Sequence, residues 1–456
     1  LRSGYMKDIY DFDCIVAGGG IAGSLAAASA GRMGLSVLLA EEQGALGGSM
    51  TSSGTGPMMT FHAGSTQVIR GITDELVRRL VKKGLSPGHT VDSTGYTYTV
   101  TPFDAEGFKR ELELMCLEAG VTILYHSSIE SVSLCAGRAE SVSLLSCGKK
   151  LSARAPYFID ATGDGDLIFQ AGVPYAEGRD SDGKDQPMTM NFRLSNVDID
   201  SIRALMDKDA SLFPFLKSKI GIQKKASRLS CSGFEDIMKD GIKKGEITFD
   251  RDIALFFETN TKDEVIVNMT RINGESPVDP FGISRAETEG RRQVWELYAF
   301  MKKHIPGFAH AHLIASGPSV GIRSSRRMKG VYTITADDIL SARRFDDAVV
   351  AFGYPIDIHS SDGAATDSRF LKDGEYYTIP YRTLINASVP NIMAAGRDIS
   401  ASFEAQASTR LSPCCGALGE AAGVAAAIAK GQGCLPTDVP TGELRAALEE
   451  RGAFLG

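Results

Sequence analysis

The stretch "DCIVAGGGIAGSLAAASAGRMGLSVLLAEE", residues 13–42, constrains this chain more than any other. Residues 13–17 form a short apolar run, consistent with a buried parallel strand. Gly18, Gly20 and Gly23 then satisfy G-x-G-x-x-G. The first glycine allows a tight turn, the second lets a pyrophosphate approach the backbone, and the third lets helix and strand pack closely. A helix is predicted from Ile21 to Met33; Ile21 and Ala22 open it, where free N–H groups and the positive dipole end face phosphate. Residues 36–40, "SVLLA", read as the next buried strand. Glu41 ends it, about 20 residues after the first glycine, where a carboxylate accepts hydrogen bonds from adenosine ribose hydroxyls. Glu42 doubles the acid, so either one can fill that position. Strand, turn, helix, strand and acid together predict dinucleotide binding, which a lone glycine motif would not.

Three further stretches decide between a visiting nicotinamide and a resident flavin. "GALGGSMTSSG" (44–54) leaves the second strand as a Gly/Ser/Thr loop, and its Gly47-Gly48 pair suits close approach to a large cofactor. After a helix at 104–119, the segments 121–126, 129–135, 139–146 and 150–155 read as a meander. The buried strand "YFIDATGDGD" (157–166) then brings a second glycine-bearing turn back to the first. Near the end, "VPNIMAAGRDISA" (389–401) is another buried strand, followed by the small-residue helix "STRLSPCCGALGEAAGVAAAIAKG" (408–431). Ser412 reads as its N-cap and Pro413 as its first residue. Its positive end would stabilise negative charge on the pyrimidine side of a reduced flavin. No second G-x-G-x-x-G follows Gly23, so no separate pyridine-nucleotide domain is expected.

With these motifs the chain resembles the FAD-dependent oxidoreductase family, in the glutathione-reductase-like two-dinucleotide-fold superfamily. Fumarate reductase and succinate dehydrogenase flavoproteins are wider relatives. The resemblance runs from Asp13 to about Lys430. It is carried by "VAGGGIAG", "LGGSMTSSG", "FIDATGDGDL", "GYPIDIH", "IPYRTLI", "AAGRDISA" and "EAQASTRLSPCCGALGEAAG". It implies FAD as cofactor, with Gly18, Gly20 and Gly23 at the pyrophosphate and Glu41 at the ribose. It puts Gly47, Gly48, Ser49 and Thr51 along the pyrophosphate and ring, and makes Ala161, Thr162, Gly163 and Asp164 the adenine-side wall. Gly396 and Asp398 would reach the pyrophosphate and ribitol, and the turn from Ser412 through Cys414 and Cys415 would face the flavin. The expected architecture is α/β. A Rossmann-like FAD-binding domain (parallel sheet plus β-meander) occupies 1–166 and 386–456. An α+β substrate or cap domain is inserted at 167–385. Within that insert, a capping box at Ser284–Glu287 would open a helix through Lys303 carrying Trp295 in the core.

A flavin supplies two-electron chemistry, and the protein supplies orientation, charge and a proton path. Arg410, in "STRLSP", is similar to a stretch of fumarate reductases that holds a substrate carboxylate. Arg326, Arg327 and Arg382 are further candidates for orienting substrate. His359, in "GYPIDIHSSDG", is the best acid/base by residue type. Tyr354 and Tyr381 could line the pocket, and His62 could carry a covalent flavin link, although non-covalent FAD is expected. Cys414-Cys415 reads as small-residue packing rather than a redox pair.

The leading expectation is hydride transfer between a small organic substrate, anionic where an arginine clamps it, and FAD, with a separate electron acceptor or donor. The alternatives are fumarate-reductase-like reduction of an activated double bond and, from another class, a non-catalytic flavin-binding or electron-transfer protein. The net charge of −7 without basic tracts argues against nucleic acid or anionic membranes as partners. No apolar run of about 18 residues is evident, and the first residues have no apolar core of a signal peptide. The eight cysteines have no C-x-x-C spacing, so no metal site is expected and a reduced, cytoplasmic protein is.

Overall fold

The structure is a computed structural model that describes residues 9–216, 221–363 and 365–456. Its centre is a five-stranded sheet in the order Ile392–Ala394, Tyr157–Asp160, Cys14–Ala17, Val37–Ala40, Thr122–Leu124. Every pair in it is parallel. The first four strands in that order are buried throughout, which is why they are near-continuous apolar runs rather than alternating ones.

One face of this sheet is built on contact between two helices, Ile21–Arg32 and Ser412–Gln432. A Cβ at Gly419 would sit 2.1 Å from Ala22 O, and one at Gly423 would sit 2.2 Å from Ala26 O. Two glycines four apart meet two alanines four apart, so the backbones touch along one stripe. This corrects one expectation: Ser412–Gln432 is long and apolar enough, by length and composition, to cross a membrane. Its apolarity serves the core instead, since nearly all of it is buried against the fingerprint helix. The helix also begins one residue differently from the expectation. Leu411 holds the cap position, Ser412 lies in the first turn, and no side chain caps the end.

The meander consists of Ser127–Cys135, Arg138–Ser146 and Lys149–Arg154, all antiparallel. Its expected first segment, 121–126, instead supplies the edge strand Thr122–Leu124 of the parallel sheet. The helix Ala105–Glu118, capped by Asp104, is the crossover that returns the chain there.

A second apolar core runs from Met188 to Val320. It holds an antiparallel sheet in the order Ser230–Gly233, Ala254–Glu258, Val265–Val267, Phe192–Ser195, His312–Ser316, together with the helix Pro280–His304. Residues from Met328 to Ile385 contribute buried side chains to the first core. The helix starts before the predicted capping box because Asp279 accepts from Gly282 N and Pro280 suits the first turn. Trp295 is 62 % exposed rather than in the core. Val294, Leu297 and Met301 form the buried stripe, and position 295 falls one step off it.

Candidate functional site

Four of the parallel strands deliver their loops to one edge. Gly18 adopts φ +89°, and a Cβ there would sit 2.5 Å from Ala161 O. A Cβ at Gly23 would sit 1.8 Å from Gly18 O, so both positions exclude any side chain. Gly47 N donates to Gly19 O at 2.9 Å, and Gly48 lies against Gly20. Gly396 lies beside Ala22. Four segments distant in sequence therefore meet around one glycine turn.

Glu41, not Glu42, occupies the acid position. It is buried, with Oε2 accepting from Gly19 N at 2.5 Å and Oε1 from Gln43 N at 2.7 Å, whereas Glu42 is exposed. Burial raises the Glu41 pKa above its usual value. Thr51 Oγ1 donates to Leu46 O, and Ser49 is exposed. Thr162 bonds through both N and Oγ1 to Asp160 Oδ1, Gly163 O accepts from Ser325 Oγ, and Asp164 accepts from Arg397 Nη2 at 2.9 Å.

Asp160 and Asp398 form a buried carboxyl pair beneath this turn. Asp160 accepts from Thr162 and from Ile168 N, while among the described residues the Asp398 side chain meets no hydrogen-bond donor and faces the Asp160 carboxyl. Burial, then the Asp160 carboxylate beside it, raises Asp398 well above the usual carboxylate range, so Asp398 is the protonated member. The linkage sign follows. Stability from a raised carboxyl is fully present below its unfolded pKa of about 4 and is lost as pH rises through the folded value. Denaturant unfolding of the apoprotein should therefore show stability falling from pH 5 to pH 8. Asp398→Asn, whose amide can donate to Asp160, should reduce that slope, to which the raised carboxyls of Glu420, Asp166 and Asp185 also contribute, and gain on the order of 1–3 kcal/mol at pH 8. An unchanged slope would show that Asp398 does not titrate in this window.

A second cluster lies across the junction with the inserted unit. In the strand Ile356–His359, Asp357 and His359 point to one face because side chains alternate. His359 Nε2 lies 3.3 Å from Asp357 Oδ2, and Tyr96 Oη donates to Asp357 Oδ1 at 3.1 Å. Arg410 reaches the same group, with Nη2 3.3 Å from Asp357 O and 3.8 Å from Oδ2. Arg323 and Arg410 both act on His359 and Asp357, and Arg251 and Arg271 act on Arg323. Burial, then the Arg323 guanidinium, pushes His359 down to about 3. Burial opposes ionisation of Asp357, but the His359 ring and the guanidiniums outweigh it and hold the group well below its usual value. At neutral pH the site thus presents a carboxylate, a neutral imidazole and several guanidiniums.

The other candidates sit elsewhere. Arg326 pairs with Asp166 at 3.0 Å and stacks over Phe169, and Arg327 is buried with its donors on Ala401 O and Gly178 O. Arg382 pairs with Asp347 at 2.8 Å under Tyr332. Tyr381 Oη donates to Pro436 O; Tyr354, by contrast, is buried at the cluster itself, beside Tyr96 and within the electrostatic reach of Asp357 and Arg410. His62 Nδ1 bonds to Thr99 Oγ1 at 3.0 Å, and burial pushes the ring down to about 4. Burial pushes the Cys415 thiol up to about 12 and Cys414 well above its usual value, so helix-end activation does not prevail in this pair. Sequence reasoning missed Asp357, Arg251, Arg271 and Arg323. Their signal was present: Asp357 lies in a quoted motif two residues before His359. Arginines flanking apolar strands signal buried charge that needs a partner.

The family described as FAD dependent oxidoreductase matches residues 13–448. No curated protein matches the chain. Among solved structures, the chain is similar to a geranylgeranyl bacteriochlorophyll reductase-like protein from Thermoplasma acidophilum. Identity there is 12 % and the TM-score 0.48, over 98 % of this chain and 85 % of that one. It is similar to a flavin-dependent brominase at 13 % identity and TM-score 0.48, over 96 % and 83 % of the two chains. A p-nitrophenol 4-monooxygenase from Pseudomonas putida is similar at 11 % and 0.44, over 97 % and 82 %.

Proposed function

The chain belongs to the FAD-dependent oxidoreductase family, and on that premise we propose that it transfers a hydride between a small organic substrate and a resident, non-covalently held FAD. The observation that carries this reading is the position of Arg410. It bonds to Asp357 beside His359, and it stands two residues before the helix Ser412–Gln432 that packs on the fingerprint helix.

The residues fit FAD on two counts. The turn, with Ile21 and Ala22 opening the helix, excludes side chains at Gly18 and Gly23, leaves open space at Gly20, where a Cβ would meet only Gly48 Cα at 3.9 Å, and offers backbone N–H groups to pyrophosphate. Asp398 holds a buried carboxyl without a donor, which a ribityl hydroxyl would supply. Glu41 would take the ribose after releasing Gly19 N. Gly47, Gly48, Ser49 and Thr51 would follow the pyrophosphate and ring, and Ala161, Thr162, Gly163, Asp164 and Gly396 would close the wall. Ser412 and Cys415 stand at the ring end, and Cys414 packs behind them. His62, already bonded to Thr99, is left out of any attachment. When bound, FAD supplies two-electron exchange with the substrate.

On this reading Arg410 orients the substrate and His359 accepts its proton at a ring nitrogen, as a neutral imidazole can. Asp357 fixes the ring through its bond to Nε2. A separate acceptor or donor completes the electron balance. All eight cysteines are free thiols, which supports a reducing, cytoplasmic setting. A second reading, reduction of an activated double bond, is favoured by the guanidiniums around His359, which would clamp an anionic enoate.

The test is to purify the protein, record its visible spectrum, precipitate it, and look for flavin in the supernatant. Released FAD is expected. Anaerobic bleaching by hydroxy acids then supports oxidation, and reoxidation of the reduced protein by enoates supports the second reading. A colourless protein that no FAD reconstitutes would sink both, and a spectrum indifferent to every small molecule would favour an electron-transfer or non-catalytic role.

A further inference from the structure

We propose that the amide of Gln186 holds the oxygen of the substrate's reacting carbon, so that the substrate of this face is a carbonyl compound or the carbinol that yields it. This rests on the reading above, that substrate meets the flavin beside His359, and it names the substrate class of that face.

Gln186 lies just before the second core begins at Met188. Pro187 favours extended backbone at the residue before it, and the bridges Met188–Ile272 and Thr189–Gly321 continue that line. The residue is anchored from the cofactor's side. Gln186 N donates to Ser324 Oγ at 2.8 Å, and Ser324 Oγ donates to Asp185 Oδ1 at 2.7 Å. The next residue, Ser325, donates through Oγ to Gly163 O at 3.1 Å, in the turn read as the cofactor's wall. From the other side His359 N donates to Gln186 Oε1 at 3.3 Å. Only the amide oxygen can accept that bond, so the nitrogen, with its two N–H groups, is turned away from it.

Gln186 is 2 % exposed, and its buried Nε2 has no acceptor among the described residues. Buried amides that serve structure differ. Gln293 accepts from Arg271 N and donates to Arg271 O and Glu289 Oε1. Asn391 accepts from Ala139 N and donates to Ala139 O and Pro156 O. An unmet buried donor costs about 1–3 kcal/mol. Holding His359 N calls for the amide oxygen alone, so the unmet nitrogen points to a ligand. Arg410 Nε, reached from Gln186 through His359 and Asp357, is also buried without an acceptor. The side chains of His359, Asp357 and Arg410 keep 15 %, 14 % and 13 % exposure, so the face opens to solvent. A neutral amide N–H suits an uncharged oxygen, whereas an oxyanion favours a charged donor. In the oxidising direction the carbinol C–H bond breaks and its electron pair leaves as hydride to FAD. The O–H bond breaks, its proton passes to a ring nitrogen of His359, and the oxygen of the C=O bond that forms accepts from Gln186 Nε2.

The experiment titrates the oxidised holoenzyme with three pairs of compounds that differ by one carbonyl oxygen: pyruvate and propionate, phenylglyoxylate and phenylacetate, dihydroxyacetone and 1,3-propanediol. The flavin spectrum and the thermal unfolding midpoint are read. In at least one pair the carbonyl member is expected to bind at least about tenfold tighter. Gln186→Glu keeps an oxygen for His359 N and puts a second oxygen where the donor stood. At pH 8 it is expected to retain FAD and to lose the preference, because a carboxylate cannot donate to a carbonyl. The ratio within each pair cancels any general change in affinity, so a role confined to holding His359 N would leave it unmoved. Carbonyl members no tighter than their partners in all three pairs would overturn the proposal, as would an unchanged ratio in Gln186→Glu. If Gln186→Glu does not fold, the ratios of the unaltered protein decide. If the protein holds no FAD, the flavin reading fails while the thermal midpoint still reports on Gln186.

Discussion

Gly23→Ala is expected to give a protein that retains no FAD through desalting, with apoprotein affinity for added FAD lowered by about 100-fold or more. The added Cβ would sit 1.8 Å from Gly18 O and 3.0 Å from Ala161 Cβ. Neither neighbour is the flexible end of a long side chain, so the helix Ile21–Arg32 must move off the turn. Overpacking of this kind costs about 1–3 kcal/mol or more, and here the displacement falls on the N–H groups that would meet pyrophosphate. The matched control is Gly431→Ala, near the end of the C-terminal helix, where an added Cβ meets nothing within 4 Å. That change should leave flavin content intact and raise stability slightly, because alanine is the better helix former. Flavin content equal in the two variants would break the link between this turn and the cofactor.

The contrast between those glycines shows what the sequence could and could not disclose. The fingerprint was legible because its requirements are local: a buried strand, three glycines at fixed spacing, a helix and an acid fall within 30 residues. The long Gly/Ala helix was legible as a tight-packing element, and its partner, the fingerprint helix, follows the same small-residue logic. The cluster at Asp357 and His359 was not legible as a cluster. Tyr96, Gln186 and Arg410 lie far from that strand in the chain and reach it only in the folded protein. For the same reason Arg326, Arg327 and Arg382 stand beside Arg410 as further candidates in one dimension. Only the tertiary structure assigns Asp166, the backbone around Ala401, and Asp347 as their partners. Trp295 illustrates the remaining limit, since periodicity places a helix well but its phase, shifted by one residue, decides between core and solvent.

His359→Gln should retain FAD yet reduce it more slowly, by about 100- to 10,000-fold, with the substrate that bleaches the unaltered protein, because it removes the proton acceptor without touching the cradle. The pH dependence separates that role from a structural one. In the free protein burial and Arg323 hold His359 near 3, so the imidazole is neutral from pH 5 to 8. The acid limb of kcat/KM, which reports free enzyme, should show no inflection near the ordinary histidine value of about 6.5. An anionic substrate bound at this face would offset the charge of Arg323 and Arg410 and favour the imidazolium, raising His359 in the complex. The acid limb of kcat should then lie at higher pH than that of kcat/KM, and both limbs should vanish in His359→Gln. Coincident limbs near 6.5 would mean that the guanidiniums do not govern His359. A variant that keeps full flavin reduction would remove it from the proton path, leaving Asp357 and Arg410 as the groups that act on the substrate.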